Sequence, residues 1–154
     1  MRFWRISNYA DLSGEGGRLA AGRWNRLGRR AVYLAEHPAL ALLETLVHLE
    51  IDAEDIPSRF RLLGIEAPDE LAMTELDERT LDAAHPDWRR DPEATRTVAE
   101  EFFAAGRHAL LRVPSVLLPE AFNVILNPAH PAARHLRIVS DVRVPFDERL
   151  LPFR

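Results

Sequence analysis

Two hydrophobic periodicities alternate along the chain, and each predicts one kind of element. Where apolar and polar positions alternate, we expect strands, because successive side chains of a strand point to opposite faces of the sheet. In residues 29–36, Val32 and Leu34 fall on one face, and Ala31 and Tyr33 fall on the other. Strands are predicted at residues 2–7, 29–36, 58–68, 108–118, 122–127 and 137–146.

Two longer stretches have the helical period. The first begins at Pro38 and runs to about Glu50, and the second covers residues 92–106. Proline is favoured in the first turn of a helix, and a glycine such as Gly106 is favoured just after the last turn. A turn at residues 127–131 leads into a shorter helical piece.

Two segments have no regular pattern. Residues 8–22 are rich in glycine and predict a loop, whereas residues 69–91 are acidic and mixed and predict a short helix or a loop. The element order predicts a single α/β (mixed α+β) domain over residues 1–154, with a mixed, largely antiparallel sheet flanked by helices.

Composition excludes several classes of function. No apolar run approaches the roughly 18 residues that span a bilayer, and the N-terminus lacks the apolar core of a signal peptide; we expect a cytoplasmic protein without membrane contact. The net charge of -4 argues against direct nucleic-acid binding. All 20 basic residues are arginine, which excludes Schiff-base lysine chemistry. The histidines lack the spacing of a metal site, so none is predicted.

One carboxylate interrupts the first helix. Glu44 stands in the middle of LALLETLVHL, an otherwise almost wholly apolar stretch. A buried carboxylate costs several kcal/mol unless it is paired or hydrogen-bonded. Glu44 is therefore either structural, as a member of an ion pair or of a helical pair with His48, or functional, as a carboxylate that faces a cleft.

The segment before this helix is positively charged. Between Glu15 and Glu36 it contains no acid and five arginines, at positions 18, 23, 26, 29 and 30. Most of these suit a solvated loop, but Arg23 lies in GRWN between a glycine and a tryptophan, where its forked donors could bind a phosphate. Tyr33 adds a flat ring with a hydroxyl, although a core tyrosine is the simpler interpretation.

The later stretch VPSVLLPEAFNVILNPAHP contains further polar positions. Ser115 follows a proline on an apolar strand, and no G-x-S-x-G surrounds it, so a hydrolase nucleophile is not expected. Asn123 and Asn127 flank an apolar run, and their ordinary role is turn formation and capping.

Together these motifs resemble the RES-domain toxin family. The matching segments are FWRIS, GRWN, the strand tyrosine, the helical A-L-x-E and VPS…FNVILNPAHP, over residues 3–146. The resemblance implies an ADP-ribosyltransferase-like fold and a site in which Arg23, Glu44, Ser115 and Tyr33 are catalytic. It further implies that Arg5, Trp24, Asn25 and Asn127 contact the substrate.

The resemblance also implies a function. Family members consume NAD+ as a substrate, by hydrolysis or phosphorolysis, and some transfer ADP-ribose to a protein. No other cofactor is expected. An antitoxin with an Xre-like helix-turn-helix domain is the implied partner, and a homodimer is one assembly that the resemblance allows. Two other functions remain open: a non-enzymatic module that binds proteins through the Arg18–Arg30 patch, and a ribonuclease toxin.

Overall fold

The alternating stretches form one seven-stranded sheet in the computed structural model, which describes residues 1–48 and 59–150. Its strands are β1 (Arg2–Ile6), β2 (Val32–Ala35), β3 (Arg59–Glu66), β4 (Met73–Glu75), β5 (Leu110–Pro114), β6 (Phe122–Leu126) and β7 (Arg137–Pro145). The order is β4-β5-β6-β2-β1-β3-β7. All neighbours are antiparallel except β4 and β5, which run parallel. The prediction of a mixed, largely antiparallel sheet with helices is confirmed.

Four α-helices accompany the sheet within the described residues. They are α1 (Glu15–Leu19), α2 (Pro38–Leu46), α3 (Glu78–Ala84) and α4 (Pro92–Ala105), and 3₁₀ turns lie at Pro131–His135 and Glu148–Leu150. α4 begins as predicted, because the Asp91 side chain accepts a hydrogen bond from the amide of Glu93 and Pro92 follows it. It ends at Gly106, whose φ of 55° lies in the left-handed region.

Three sequence-based expectations need correction. The glycine-rich segment is not all loop, since its residues 15–19 form α1, where Arg18 pairs with Glu15 one turn earlier. The segment 69–91 contains a strand, β4, as well as the helix α3. α2 ends at Leu46, earlier than expected, and the predicted end near Glu50 lies outside the described residues.

The sheet separates two layers of core. One face buries Phe3, Val32, Leu34, Leu63 and other apolar side chains of the strands. The opposite face packs against α3 and α4 around Trp24 and Trp88, and against α2 around a smaller cluster. Val32 and Leu34 thus share a face opposite to that of Ala31 and Tyr33, as predicted.

The helix α2 is less buried than its apolar sequence predicts. Only Leu40 and Ala41 are fully buried, and they pack on Ala35 of β2. Its remaining leucines line an open groove of about 680 Å³. Because α2 packs on β2 in this way, Glu44 is half-buried above the ends of the central strands. No helix in the described ranges is long and apolar enough to cross a membrane.

Candidate active site

Glu44 is fixed in place by two neutral donors. Its Oε1 accepts hydrogen bonds from the Ser115 hydroxyl at 2.9 Å and from the Asn123 amide at 2.6 Å. Among the residues that the structure describes, Glu44 makes no salt bridge and no hydrogen bond with His48; its side-chain hydrogen bonds are those with Ser115 and Asn123. Both bonds reach the same oxygen, and Oε2 has no hydrogen-bond partner among the described residues.

The sheet brings these two donors under α2. Asn123 pairs in register with Ala35 of β2 and with Val113 of β5, and Ser115 lies directly beyond the end of β5. The Ser115 side chain is 4% exposed, and its oxygen also accepts a hydrogen bond from the Leu117 amide. The hydroxyl proton is therefore directed to Glu44.

Arg23 lies within electrostatic range of this carboxylate. Burial lowers the pKa of Arg23, while the negative charge of Glu44 opposes that shift. One guanidinium nitrogen, Nη1, donates to the carbonyl of Trp88 at 3.1 Å. The cost of partly burying this guanidinium is thus reduced by the charge of Glu44 and by one backbone carbonyl.

Tyr33 holds the loop that carries Arg23. Its hydroxyl accepts a hydrogen bond from the Trp24 amide at 2.8 Å and donates to Asn25 Oδ1 at 2.7 Å. Burial raises the pKa of Tyr33 to about 12, so the hydroxyl is protonated at neutral pH. Gly22 packs so closely against this hydroxyl that a side chain would not fit, because a Cβ at position 22 would lie 2.3 Å from the Tyr33 hydroxyl oxygen.

Trp24 and Asn25 stabilise the loop that carries Arg23. Trp24 is 3% exposed, and its ring packs on that of Trp88. Asn25 is 1% exposed, and its amide nitrogen donates to carbonyls of the surrounding loop, including that of Gly17 at 2.7 Å. The Asn25 amide is committed to the fold and the Trp24 ring is packed in the core, so the geometry favours loop support over the predicted substrate contact.

Arg5 and Asn127 lie away from Glu44. Arg5 alternates with Trp4, which packs under α2, so Arg5 is on the opposite face of the sheet, where it donates to the Asp11 carbonyl at 3.0 Å. Asn127 is 8% exposed and caps a turn by accepting from the Ala129 amide at 3.1 Å. The structure therefore does not bring these two predicted contacts into the site.

Two residues near the site were missed by sequence reasoning. Asn123 was interpreted as a turn residue, although alternation with Ile125 places it on the buried helix-facing side, where a polar group needs a partner. Arg96 of α4 donates from Nε to the Gly22 carbonyl at 2.8 Å. Arg96 lies one turn into α4, and no sequence pattern links it to the GRWN loop.

The Arg18–Arg30 patch is largely neutralised. Arg29 pairs with Glu100 at 2.7 Å, Arg30 pairs with Glu15 at 3.0 Å, and Arg18 and Arg26 also contact carboxylates. Such paired arginines are poor docking groups for an acidic partner. Within the described residues, no three acidic or histidine side chains are placed to hold a metal ion.

A mixed α/β domain in which a helix presents an anchored carboxylate within electrostatic range of a half-buried arginine has the features of a small enzyme domain. The RES domain family profile matches residues 2–147, and the chain belongs to this family. The predicted family, toxin class and enzymatic nature are confirmed.

Curated relatives match over almost the whole chain. Toxin Res of Pseudomonas putida is 46% identical over 150 residues, which cover 97% of this chain and 99% of that protein. The Prs ADP-ribosylating toxin of a Sphingobium species is 37% identical, with 97% of this chain and 96% of the relative covered. Among solved structures, the M. tuberculosis MbcT–MbcA toxin–antitoxin complex contains a similar fold, with a TM-score of 0.76 at 20% identity over 94% of this chain and 84% of that chain.

Proposed function

We propose that this protein cleaves the bond between nicotinamide and ribose in NAD+, which acts as the substrate rather than as a cofactor. The observation that carries the proposal is the Glu44 carboxylate, which Ser115 and Asn123 anchor through one oxygen, within electrostatic range of the half-buried Arg23. A half-buried acid on an apolar helix has a cost, and substrate binding supplies the reason for it.

The chemistry needs such a carboxylate. Cleavage of a glycosidic bond passes through an oxocarbenium-like transition state, in which positive charge develops on the sugar. A fixed negative charge beside that sugar stabilises the transition state more than the ground state, and its orientation is set before the reaction. Glu44 Oε2 fills this role and accepts a hydrogen bond from a ribose hydroxyl. Nicotinamide leaves as a neutral molecule, so no general acid is needed.

The other residues hold the substrate. Arg23 binds the diphosphate of NAD+ through the guanidinium nitrogens that Trp88 does not occupy. The ring of Tyr33 covers the nicotinamide, while its hydroxyl keeps the Arg23 loop in place. Ser115 orients Glu44, and no covalent intermediate forms on its hydroxyl.

The acceptor of the ADP-ribose is water or phosphate in the principal proposal. Transfer to a protein side chain is the second candidate, and it is supported by the Sphingobium relative, which is named as an ADP-ribosylating toxin. All three acceptors attack the same sugar carbon, so the Glu44 role is common to them.

A protein partner is part of the proposal. We propose that an antitoxin with an Xre-like helix-turn-helix domain restrains the enzyme in the cytoplasm, where NAD+ is plentiful. The similar solved fold is that of a toxin–antitoxin complex, which supports a protein partner of this kind. A homodimer of the toxin is compatible with this arrangement.

The proposal is tested by incubating purified protein with NAD+ and separating the nucleotide products, with and without phosphate. We expect ADP-ribose without phosphate, or its phosphorylated form when phosphate is the acceptor. Glu44→Gln should abolish the reaction, while Glu101→Gln on the exposed side of α4 should leave it unchanged. NAD+ loss that persists in Glu44→Gln would refute the proposed site. RNA cleavage at constant NAD+ would instead indicate the ribonuclease function.

A further inference from the structure

Arg96 is a second guanidinium beside the Arg23 loop. Its Nε donates to the Gly22 carbonyl, and its side chain is 27% exposed. In the part of the chain that the structure describes, its nearest carboxylate is Glu93, 3.9 Å from Nη1. In the same described residues, neither terminal nitrogen of Arg96 makes a hydrogen bond, so both can bind a ligand.

α4 fixes the relative position of the two arginines. The Thr95 hydroxyl donates to the Arg23 carbonyl at 2.6 Å, and Arg96 donates to the carbonyl of the residue before it. Thr95 is fully buried, so this connection is firm. Thr95 and Arg96, which are adjacent in α4, thus hydrogen-bond to the adjacent loop residues Arg23 and Gly22. The side chains of Arg23 and Arg96 therefore both extend from the place where α4 contacts the loop.

The two positive charges affect one another. Besides burial, the charge of Arg96 contributes to lowering the pKa of Arg23, and both arginines act on the Tyr33 hydroxyl. Bringing like charges together in a half-buried place costs free energy. In contrast, Arg26 on the same loop is neutralised by Glu93 and also contacts Thr97. An anion with two negative groups would offset the repulsion between Arg23 and Arg96.

We propose that Arg96 and Arg23 together bind the diphosphate of the substrate, with one forked guanidinium for each phosphate. This inference rests on the proposed NAD+ reaction and assigns Arg96 as the residue that selects a substrate with a diphosphate. Arg96 is not one of the donors that hold Glu44, so we expect it to contribute to binding and not to the chemical step.

Two measurements test this role on purified protein. The first is calorimetric binding of inorganic pyrophosphate, and the second is the steady-state kinetics of nicotinamide release from NAD+. A hydrogen bond to a charged group contributes about 1.5–3 kcal/mol, which corresponds to about 10- to 100-fold in binding. Arg96→Gln should weaken pyrophosphate binding and raise the KM for NAD+ by that factor, with kcat changed by less than about threefold. Arg29→Gln is the matched control, because Arg29 pairs with Glu100 and not with the carboxylate near Arg96, and both values should stay near those of the wild type.

The outcomes separate this inference from the proposed function. Wild-type protein that binds no pyrophosphate, or Arg96→Gln with unchanged binding and KM, would overturn the role of Arg96. A fall in kcat at constant KM would also overturn it, because it would show that Arg96 acts only by supporting the loop through Gly22. Pyrophosphate binding that depends on Arg96 in a protein that leaves NAD+ intact would retain the anion site and refute the proposed reaction.

Discussion

Removing the Asn123 amide should slow catalysis without unfolding the protein. Asn123 donates to Glu44 Oε1 at 2.6 Å, and Ser115 is the other donor to that oxygen. Asn123→Leu keeps a similar volume but removes the donor, so the carboxylate is held by one bond and can rotate away from the ribose. A hydrogen bond to a charged group contributes about 1.5–3 kcal/mol, and each 1.36 kcal/mol of barrier is tenfold in rate. We expect kcat to fall about 10- to 100-fold.

The assay is the rate of nicotinamide release over a range of NAD+ concentrations, with circular dichroism to show that the variant is folded. KM should change little, because Asn123 touches Glu44 and not the diphosphate side of the site. Asn8→Leu, at an exposed position, is the control and should leave kcat unchanged. A folded Asn123→Leu protein with kcat within about twofold of the wild type would refute the reasoning that Oε1 must be anchored.

Three further predictions concern the loop that carries Arg23. Arg23→Lys should raise the KM for NAD+ at least tenfold, because lysine cannot make a forked contact; near-normal kinetics would remove Arg23 from the site. The pKa of Tyr33 is raised from 10.0 to about 12, so its contribution to stability is complete below pH 10 and is lost as the pH rises toward 12. This difference in pKa corresponds to about 3 kcal/mol in the free energy of unfolding. Urea unfolding at increasing pH should show this loss of stability in the wild type and not in Tyr33→Phe. Equal losses in both proteins would contradict a stabilising role of the buried hydroxyl. Gly22→Ala should lower the melting temperature and raise KM, since its Cβ would lie 2.7 Å from Asn25 Oδ1; unchanged values would show that the loop can shift freely.

Much of the local structure could be predicted because it depends on short-range patterns. Alternation placed Val32 and Leu34 on the face opposite to Tyr33, and a proline and a glycine marked the ends of α4. The helix α1 was missed because its glycines predict a loop. Gly17 is needed there for a different reason, since a Cβ at that position would lie 2.7 Å from the Ala31 carbonyl oxygen.

The site depends on contacts that no local pattern contains. Ser115 and Asn123 lie 71 and 79 residues from Glu44, so their convergence follows from the pairing of β5, β6 and β2 under α2. The anomaly of Glu44 was visible in the sequence, and it indicated that a partner was needed. Only the strand register shows that the partner is Asn123, and only the packing of α4 brings Arg96 to the Arg23 loop.

The central claim is that Glu44 drives cleavage of the nicotinamide–ribose bond. Nicotinamide release from NAD+ by the antitoxin-free protein tests it most directly, because nicotinamide leaves whichever acceptor takes the ADP-ribose. Loss of one preorganised hydrogen-bond donor to a transition-state charge costs about 10²- to 10³-fold in kcat. Loss of a full charge should cost at least as much, so the kcat of Glu44→Gln should fall by at least that factor. The substitution keeps an oxygen that accepts from Ser115 and Asn123, so the melting temperature should drop by only a few degrees. Release by a folded Glu44→Gln protein at close to the wild-type rate would contradict the account.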